Sequence, residues 1–419
     1  MVEVQPIGGL PHVVFLERAA RELDCSPSRF GQAAFLVLRL VDLLASEHPP
    51  HSPDDLFGYQ AAATSRYCEE HLDPGPQKDQ LLNLVRSAIY AHRRHDPGLI
   101  AAAMLDLAGL LMDAARWDEV LDVLATLERT ARSRLAAPAA ISAALLTGRA
   151  YRDLARFDEA DTAYERGRVL AEKAGDFRSV LRAGLGRANV CRNRGNLAEA
   201  ERRDWEVLHQ AQLTGDKDAE ARAEHDLGVV LGAKGQAPDA VSHLWRAFEL
   251  YQDESRSLRA LHDLGFALAR LGAIESAELA FRIVVGKQAA MDQDNVLNSM
   301  IELMHCASFR RDRLGFERWR GECARQLQTM TPNQVADYHL KLGIGQARFG
   351  RFDRAATELQ LALQIARTHR LHEFEFRIER IQARLGECAS PDIAPQETPE
   401  EPAWATTLND VSTALAGLL

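Results

Sequence analysis

Over residues 145 to 173, LLTGRAYRDLARFDEADTAYERGRVLAEK, the apolar and small residues Leu146, Ala150 and Leu154, and then Ala160, Ala163, Gly167 and Leu170, recur every three or four positions. That spacing places them on one stripe of an α-helix, and the break after Leu154 divides the stretch into two amphipathic helices joined by a tight turn. Neither helix can bury its stripe alone, so such pairs must stack against one another.

The turn of this pair recurs along the chain. ARWDEV (115 to 120), ARFDEA (155 to 160), GNLAEA (195 to 200), GQAPDA (235 to 240), GAIESA (272 to 277), DRLGFE (312 to 317) and GRFDRA (350 to 355) place Trp117, Phe157, Leu197, Ala237, Ile274, Leu314 and Phe352 at intervals of 40, 40, 40, 37, 40 and 38 residues. One further step back reaches Gln77, inside the Pro/Gly turn HLDPGPQKDQ. The pattern therefore predicts eight helix pairs between about residue 54 and residue 371. In each, an apolar-periodic helix runs into a turn where Gly or a small residue takes a tight or left-handed backbone, and an acid opens the second helix near its positive end.

The residues at fixed offsets from these turns resemble the tetratricopeptide repeat (TPR) family. Residues 335 to 371 supply Leu342-Gly343, Gly350, Phe352 and Ala355, and residues 220 to 256 supply Leu227-Gly228, Gly235, Ala240 and Ala247. The unit from 257 supplies Leu264-Gly265, Gly272, Ala277 and Phe281, and the unit from 140 supplies Gly148, Tyr151, Ala160 and Tyr164. The match is fair around Trp117 and Leu197 and poor around Leu314 and Gln77, where Gly and Ala are replaced. The period exceeds the family's usual length of roughly 34 residues, so the chain is similar to a long-helix variety. The resemblance implies an all-α fold, a right-handed α-solenoid of about eight antiparallel helix pairs.

The resemblance also implies that the first helix of each pair lines a concave groove. It directs into that groove the positions six, three and two residues before the packing Gly and the one after it. These are Ser142, Leu145, Leu146 and Arg149; Arg182, Leu185, Gly186 and Asn189; Arg222, His225, Asp226 and Val229; and Arg259, His262, Asp263 and Phe266. RAEHDLG (222 to 228) and RALHDLG (259 to 265) are thus the same groove positions in adjacent units. Arg152 and Arg192 stand one turn further along.

An arginine line suits carboxylates, because each guanidinium offers a planar fork of donors at fixed charge. The expected ligand is an acidic peptide or chain end held by Arg149, Arg152, Arg182, Arg192, Arg222 and Arg259, with Asn189, His225 and His262 as orienting donors and Phe266 beside them. The competing expectation is that these arginines pair with acids of neighbouring repeats, for which Asp226 and Asp263 are placed, and that the histidines are ordinary helix-surface side chains.

The termini differ from the array. Residues 1 to 53 form an expected N-terminal capping or dimerisation segment, ahead of an array from 54 to 388. In it AARELDCSPSRFGQ (19 to 32) resembles a helix-turn-helix, with Ala20 and Leu23, Ser26 as N-cap, Pro27 at the first helical position, and Phe30. Asp24 replaces the usual turn Gly, the following FGQAAFLVLRLVDLL is too apolar for a DNA groove, and four Arg face six acids in residues 1 to 50. A helical hairpin packed on the first repeat, able to form a homodimer, is the preferred reading, and nucleic acid binding is not expected. Residues 389 to 402 read as a Pro-rich acidic linker, and residues 403 to 419 as a short amphipathic helix with Leu408, Val411, Leu415 and Leu418 on one face. An acidic tail beside an arginine line suggests that the C-terminal tail docks in that groove.

Composition narrows the function classes. The chain is 46% hydrophobic but only 6% aromatic, which favours helices over sheet, and its net charge of −10 opposes nucleic acid and anionic membranes. The apolar run AAFLVL stops at Arg39, and an early Glu3 with no basic segment does not read as a signal peptide. The six cysteines show no CxxC spacing, which fits free thiols in a cytoplasmic protein. No phosphate-loop, dinucleotide, nucleophile-elbow or HExxH motif occurs. His92 and His95 lack further ligands, and the arginines of FRRDRLGFERWR (309 to 320) interleave with Asp312 and Glu317 as a solvated turn. No metal or cofactor is expected. The sequence thus predicts a non-enzymatic protein-protein interaction scaffold. The alternative is a signalling or transcriptional regulator whose array senses a peptide and controls the N-terminal segment.

Overall fold

The computed structural model describes residues 10–21, 26–45, 55–131, 134–385 and 405–418, and every regular element among them is helical. The expectations at Glu3, Leu23, Asp24 and the linker 389–402, and two of the six cysteines, Cys25 and Cys388, lie outside the described residues, as do the side chains of Ser26 and Pro27. The chain divides into two compact units, Met1–Arg203 and Asp204–Leu419.

The first unit begins with α1 (Val13–Arg21) and α2 (Ser26–Asp42), followed by α3 (Asp55–His71), α4 (Pro76–Arg94), α5 (Ala101–Asp113), α6 (Trp117–Ala131), α7 (Ala137–Asp153), α8 (Phe157–Ala174) and α9 (Phe177–Asn193). After α10 (Leu197–Thr214), which spans the boundary, the second unit contains α11 (Lys217–Ala233), α12 (Ala237–Leu250), α13 (Glu254–Arg270), α14 (Ile274–Gly286), α15 (Gln293–Phe309), α16 (Arg313–Arg325), α17 (Pro332–Arg348), α18 (Phe352–Thr368), α19 (His372–Leu385) and α20 (Ala405–Ala416). The helices α3 to α18 are the eight expected pairs. Within each unit successive first helices are neighbours: α5, α7 and α9 in one, and α11, α13, α15, α17 and α19 in the other.

Glycine explains how closely the helices of a pair approach. A Cβ on Gly228 would lie 2.5 Å from Leu244, one on Gly265 would lie 2.7 Å from Phe281, and one on Gly343 would lie 2.8 Å from Leu359. The expected aromatic of the second helix is therefore Phe281 in one pair, while Leu244 and Leu359 fill the same slot in two others. At the turns Gly195, Gly235, Gly272 and Gly350 take positive φ values of 82°, 82°, 81° and 74°; Ala115, Ala155 and Arg311 hold the same left-handed position without glycine, at 52°, 58° and 57°.

The first helices also have caps that the turn pattern does not announce. The carboxylates of Asp176, Asp216, Asp253 and Asp292 accept from the backbone N–H three residues on, starting α9, α11, α13 and α15. Thr331 and Gln334 form a capping box at α17.

The termini pack as helices on their own units. Phe15, Phe30, Val37, Leu38 and Val41 of α1 and α2 are fully buried in the core shared with α4, α5 and α6. The apolar α2 is thus a core helix, and its burial leaves little of it for a nucleic-acid groove. In the second unit α20 rests on α12 and α14, both second helices, with Val411 and Leu415 buried and the Ser276 and Ser412 hydroxyls 2.6 Å apart. The expected apolar face needs one correction. Leu418 lies past the helix end at Ala416 and is exposed.

Candidate functional site

The predicted binding residues stand on α7, α9, α11 and α13, and their surroundings differ. On α7, Arg149 is more than half exposed and lies 3.8 Å from Asp153, which also accepts from Arg152 at 2.9 Å. On α9, Arg182 is exposed, Arg192 is half-buried, and the Asn189 amide donates to the Leu185 carbonyl at 3.0 Å. In the second unit Arg222 of α11 pairs with Asp218 at 3.0 Å, one turn back, while Asp218 also accepts from Arg256 of α13 at 2.6 Å. Arg259 is about half exposed and lies 3.5 Å from Asp292. Arg149 and Arg259 therefore keep open guanidinium faces, whereas Arg152 and Arg222 are more enclosed.

The histidines of the repeated phrase connect neighbouring first helices. His225 Nε2 of α11 lies 2.8 Å from Asp263 Oδ2 of α13, and its Nδ1 lies 3.3 Å from the Tyr251 hydroxyl. His262 of α13 reaches Ser299 Oγ of α15 at 2.8 Å. It is buried, edge-on to Phe266 and Phe281, and burial lowers its pKa, so it is a neutral packing group. Phe266 is half-buried and open on its other side.

That open side belongs to a cavity of about 550 Å³ between α13, α15, α17 and α19. Of the expected residues only Phe266 lines it. Phe309 and Phe374 add aromatic surface, and Asn298, Asn333 and Arg377 add polar groups. At its floor the Lys341 ammonium, on a residue only 4% exposed, donates to Glu302 at 2.5 Å and to Asp337. Burial opposes the charge on Lys341, but Asp337 and Glu302 outweigh it and raise its pKa. Burial pushes Glu302 upward, against the pull of Lys341. Beside them Arg348 stacks 3.3 Å over Phe309 and donates to Ser308 at 2.7 Å. Burial, with Lys341, Arg348 and Arg377 adding to it, holds His305 well below the usual imidazole range, so it is neutral. The charged lining balances: Arg270, Lys341 and Arg377 against Asp294, Glu302 and Asp337.

Burial raises the Cys306 and Cys323 thiols to about 12 and Cys68 to about 11, so these cysteines are not thiolates near neutrality. Among the described residues no group of three or more His, Cys, Asp or Glu side chains is arranged to hold a metal ion. No helix among them is long and apolar enough to cross a membrane. In the basic turn, Asp312 caps α16, Glu317 receives Arg320 at 2.6 Å, and Leu314 is 86% exposed.

No family model and no curated protein matches the chain. Solved structures do. The apo form of RapI is 10% identical and superposes with a TM-score of 0.50 over 64% of this chain and 98% of its own. The apo form of the quorum sensor NprR from B. thuringiensis is 14% identical, with a TM-score of 0.51 over 82% of this chain and 88% of its own. The fold is TPR-like. NprR in complex with its cognate peptide NprX is less alike, at 13% identity and a TM-score of 0.43, covering 82% of this chain and 88% of that one. In this TPR-like array the cavity lies across the repeats around Ile274, Leu314 and Phe352, the second of them poorly matched to the family pattern. Its sequence signal is the pair Asp337 and Lys341, one turn apart on the face of α17 that also carries Asn333 and Gln334.

Proposed function

We propose that the chain is a non-enzymatic scaffold that binds a peptide or protein segment on the faces made by its first helices. The observation that carries this reading is the cavity between α13, α15, α17 and α19, where aromatic rings adjoin donors and acceptors held by a buried ion cluster. Such a surface suits a polypeptide, which presents apolar side chains and amide groups together. The fold shared with NprR, a quorum sensor that has a cognate peptide, supports the same reading.

Arg149, Arg152, Arg182, Asn189 and Arg192 in the first unit, and Arg222, His225 and Arg259 in the second, support an acidic partner. The cavity, whose charges balance, accepts a neutral anchor segment of the same partner. Capture from the native cytosol, comparing wild type with the Arg149, Arg182, Arg222 and Arg259 to Ala variant and with Phe309→Ala, tests both parts. Loss of one partner in both variants supports the reading; an unchanged set of partners in both overturns it.

A second reading is favoured by the packing of α1 and α2 on the core of α4, α5 and α6. It is a regulator in which occupancy of the first-helix face alters the N-terminal hairpin, through its docking or through homodimer formation. A change of sedimentation coefficient on adding the captured partner, absent when residues 1 to 53 are deleted, distinguishes it from a passive scaffold. The resting place of α20 on α12 and α14 favours a C-terminal segment that serves the second-helix side rather than the arginine line.

A further inference from the structure

His12 precedes α1, and its side chain is wholly shielded from solvent. Its backbone is left-handed, with φ of 64°, and its carbonyl accepts from the Phe15 N–H at 3.1 Å. The ring stands between two carboxylates from different elements. Nε2 lies 3.0 Å from Asp42 Oδ2 at the end of α2, and Nδ1 lies 2.5 Å from Asp122 Oδ2 on α6.

A neutral imidazole has one N–H and one lone pair, so it can donate to only one of these oxygens. The other contact would then set a lone pair against a carboxylate. The imidazolium donates to both. Charged groups among the described residues that face this cluster include Arg39 of α2, 3.3 Å from Asp42 Oδ2, and Arg129 of α6, 2.6 Å from Asp42 Oδ1. Both arginines meet Asp42, which joins α2 to α6 a second time through Arg129, whereas the cation that meets Asp122 is the His12 ring itself.

We propose that His12 is a proton-operated clamp: as the imidazolium it bridges Asp42 and Asp122 and holds the start of α1 on α6, and loss of the proton releases that end of the N-terminal hairpin. Phe15, Phe30 and Val37 keep the rest of the hairpin in the core, so the release is local.

The sign of the pH dependence follows from the surroundings. Burial disfavours the charged ring, but the hydrogen bonds and charges of Asp122 and Asp42 outweigh it and raise the His12 pKa above its ordinary value. The clamp is therefore fully engaged below about pH 6.5, the range of an unperturbed histidine. It is lost as pH rises through the raised value, and within that window the docking constant falls by up to about tenfold per pH unit. At the acid end burial opposes the Asp42 charge, while His12 and Arg129 outweigh it and lower its pKa, so that carboxylate stays ionised well below neutrality.

The test uses the full chain with ¹⁵N-labelled histidine. The His12 resonances, assigned with both His12→Gln and Asp122→Asn, report directly whether both ring nitrogens carry protons. Hydrogen-exchange protection of Val13–Arg21, corrected for the intrinsic pH dependence of exchange, reports the docking of α1. The expected result is a doubly protonated ring at pH 6 to 7, a fall in α1 protection as pH is raised to 9, and protection independent of pH in His12→Gln. A singly protonated ring at pH 6, or wild-type protection of α1 that does not change between pH 6 and 9, overturns the proposal.

Discussion

Gly265 lies so close to Phe281 that any side chain would strike the aromatic ring, since a Cβ there would meet Cε1 at 2.7 Å. The approach joins α13 to α14 and sets the width of the pair. Gly265→Ala forces the fully buried ring off its place, and overpacking of this kind costs about 1–3 kcal/mol. Urea unfolding followed by circular dichroism reads the loss. The same change at the half-buried Gly321, where nothing lies within 4 Å of the new Cβ, is expected to leave the midpoint unchanged or slightly raised.

Lys341 is the group on which the cavity floor depends. Lys341→Met removes the ammonium while leaving Glu302 buried and Asp337 partly so, and breaking a buried pair in this way costs about 3–5 kcal/mol. Combining it with Glu302→Gln and Asp337→Asn removes the stranded charges and is expected to return part of that loss. Thermal melts of the single and triple variants provide the comparison. A single variant as stable as wild type would show that the ion cluster contributes nothing to holding α15 against α17.

The repeat spacing revealed the helix pairs because the packing glycines and turn residues must recur wherever two helices meet closely. Gly228, Gly265 and Gly343 are legible for that reason, and so is the slot opposite them, although Leu244 and Leu359 replace an aromatic there. The cavity was far less legible. It draws several residues from each of four helices, and of these Phe266, with Asp337 and Lys341 at the same offsets from Gly343, falls on positions that the family pattern directs inward. His305, Phe309 and Phe374 occupy ordinary helical spacing, and nothing local separates a cavity-lining Phe from a core one. The partners of the repeated histidines were half legible. Asp263 was a candidate partner for charges, but the Ser299 hydroxyl that receives His262 sits in a stretch with no matching motif. The link between His12 and Asp122 joins positions 110 residues apart and leaves no local pattern.

Arg311 takes the left-handed turn position that glycine fills in Gly272 and Gly350. A non-glycine residue there carries a steric penalty of roughly 1–2 kcal/mol. Arg311→Gly is therefore expected to stabilise the second unit by about 1 kcal/mol, less whatever the unfolded chain gains in freedom. A denaturant midpoint that falls would show that the Arg311 side chain holds the turn by contacts that outweigh its backbone strain.

Two histidines, the buried His262 and the half-buried His305, give the second unit an acid sensitivity opposite in sign to that of His12. Burial lowers the pKa of His262, against Asp263 and Asp292, and lowers that of His305 with Lys341, Arg348 and Arg377 adding to it. Unfolding lets both rings take up protons near pH 6.5, which the folded unit resists. The stability they contribute is present above that pH and is lost as pH falls below it. Melting followed from pH 8 to pH 5 is expected to show a fall that His305→Asn reduces. A slope identical in wild type and variant would mean that His305 protonates as readily folded as unfolded.

The arginine line makes the sharpest separation between stability and binding. Arg149 and Arg259 are about half exposed and meet carboxylates only at 3.8 and 3.5 Å, so truncating them removes weak ion pairs. Arg182 is likewise exposed, and Arg222 pairs within its own helix. Each replacement by Ala is expected to change stability by less than about 0.5 kcal/mol. Affinity for a carboxylate-bearing partner should instead fall at least tenfold for the fourfold variant, with a weaker salt dependence than wild type, because fixed guanidinium charges supply the attraction. Isothermal titration of the captured partner at two ionic strengths measures both quantities. If affinity and its salt dependence survive in all four variants combined, the arginines are surface charge inherited with the repeat, and recognition rests on the cavity beside Phe309.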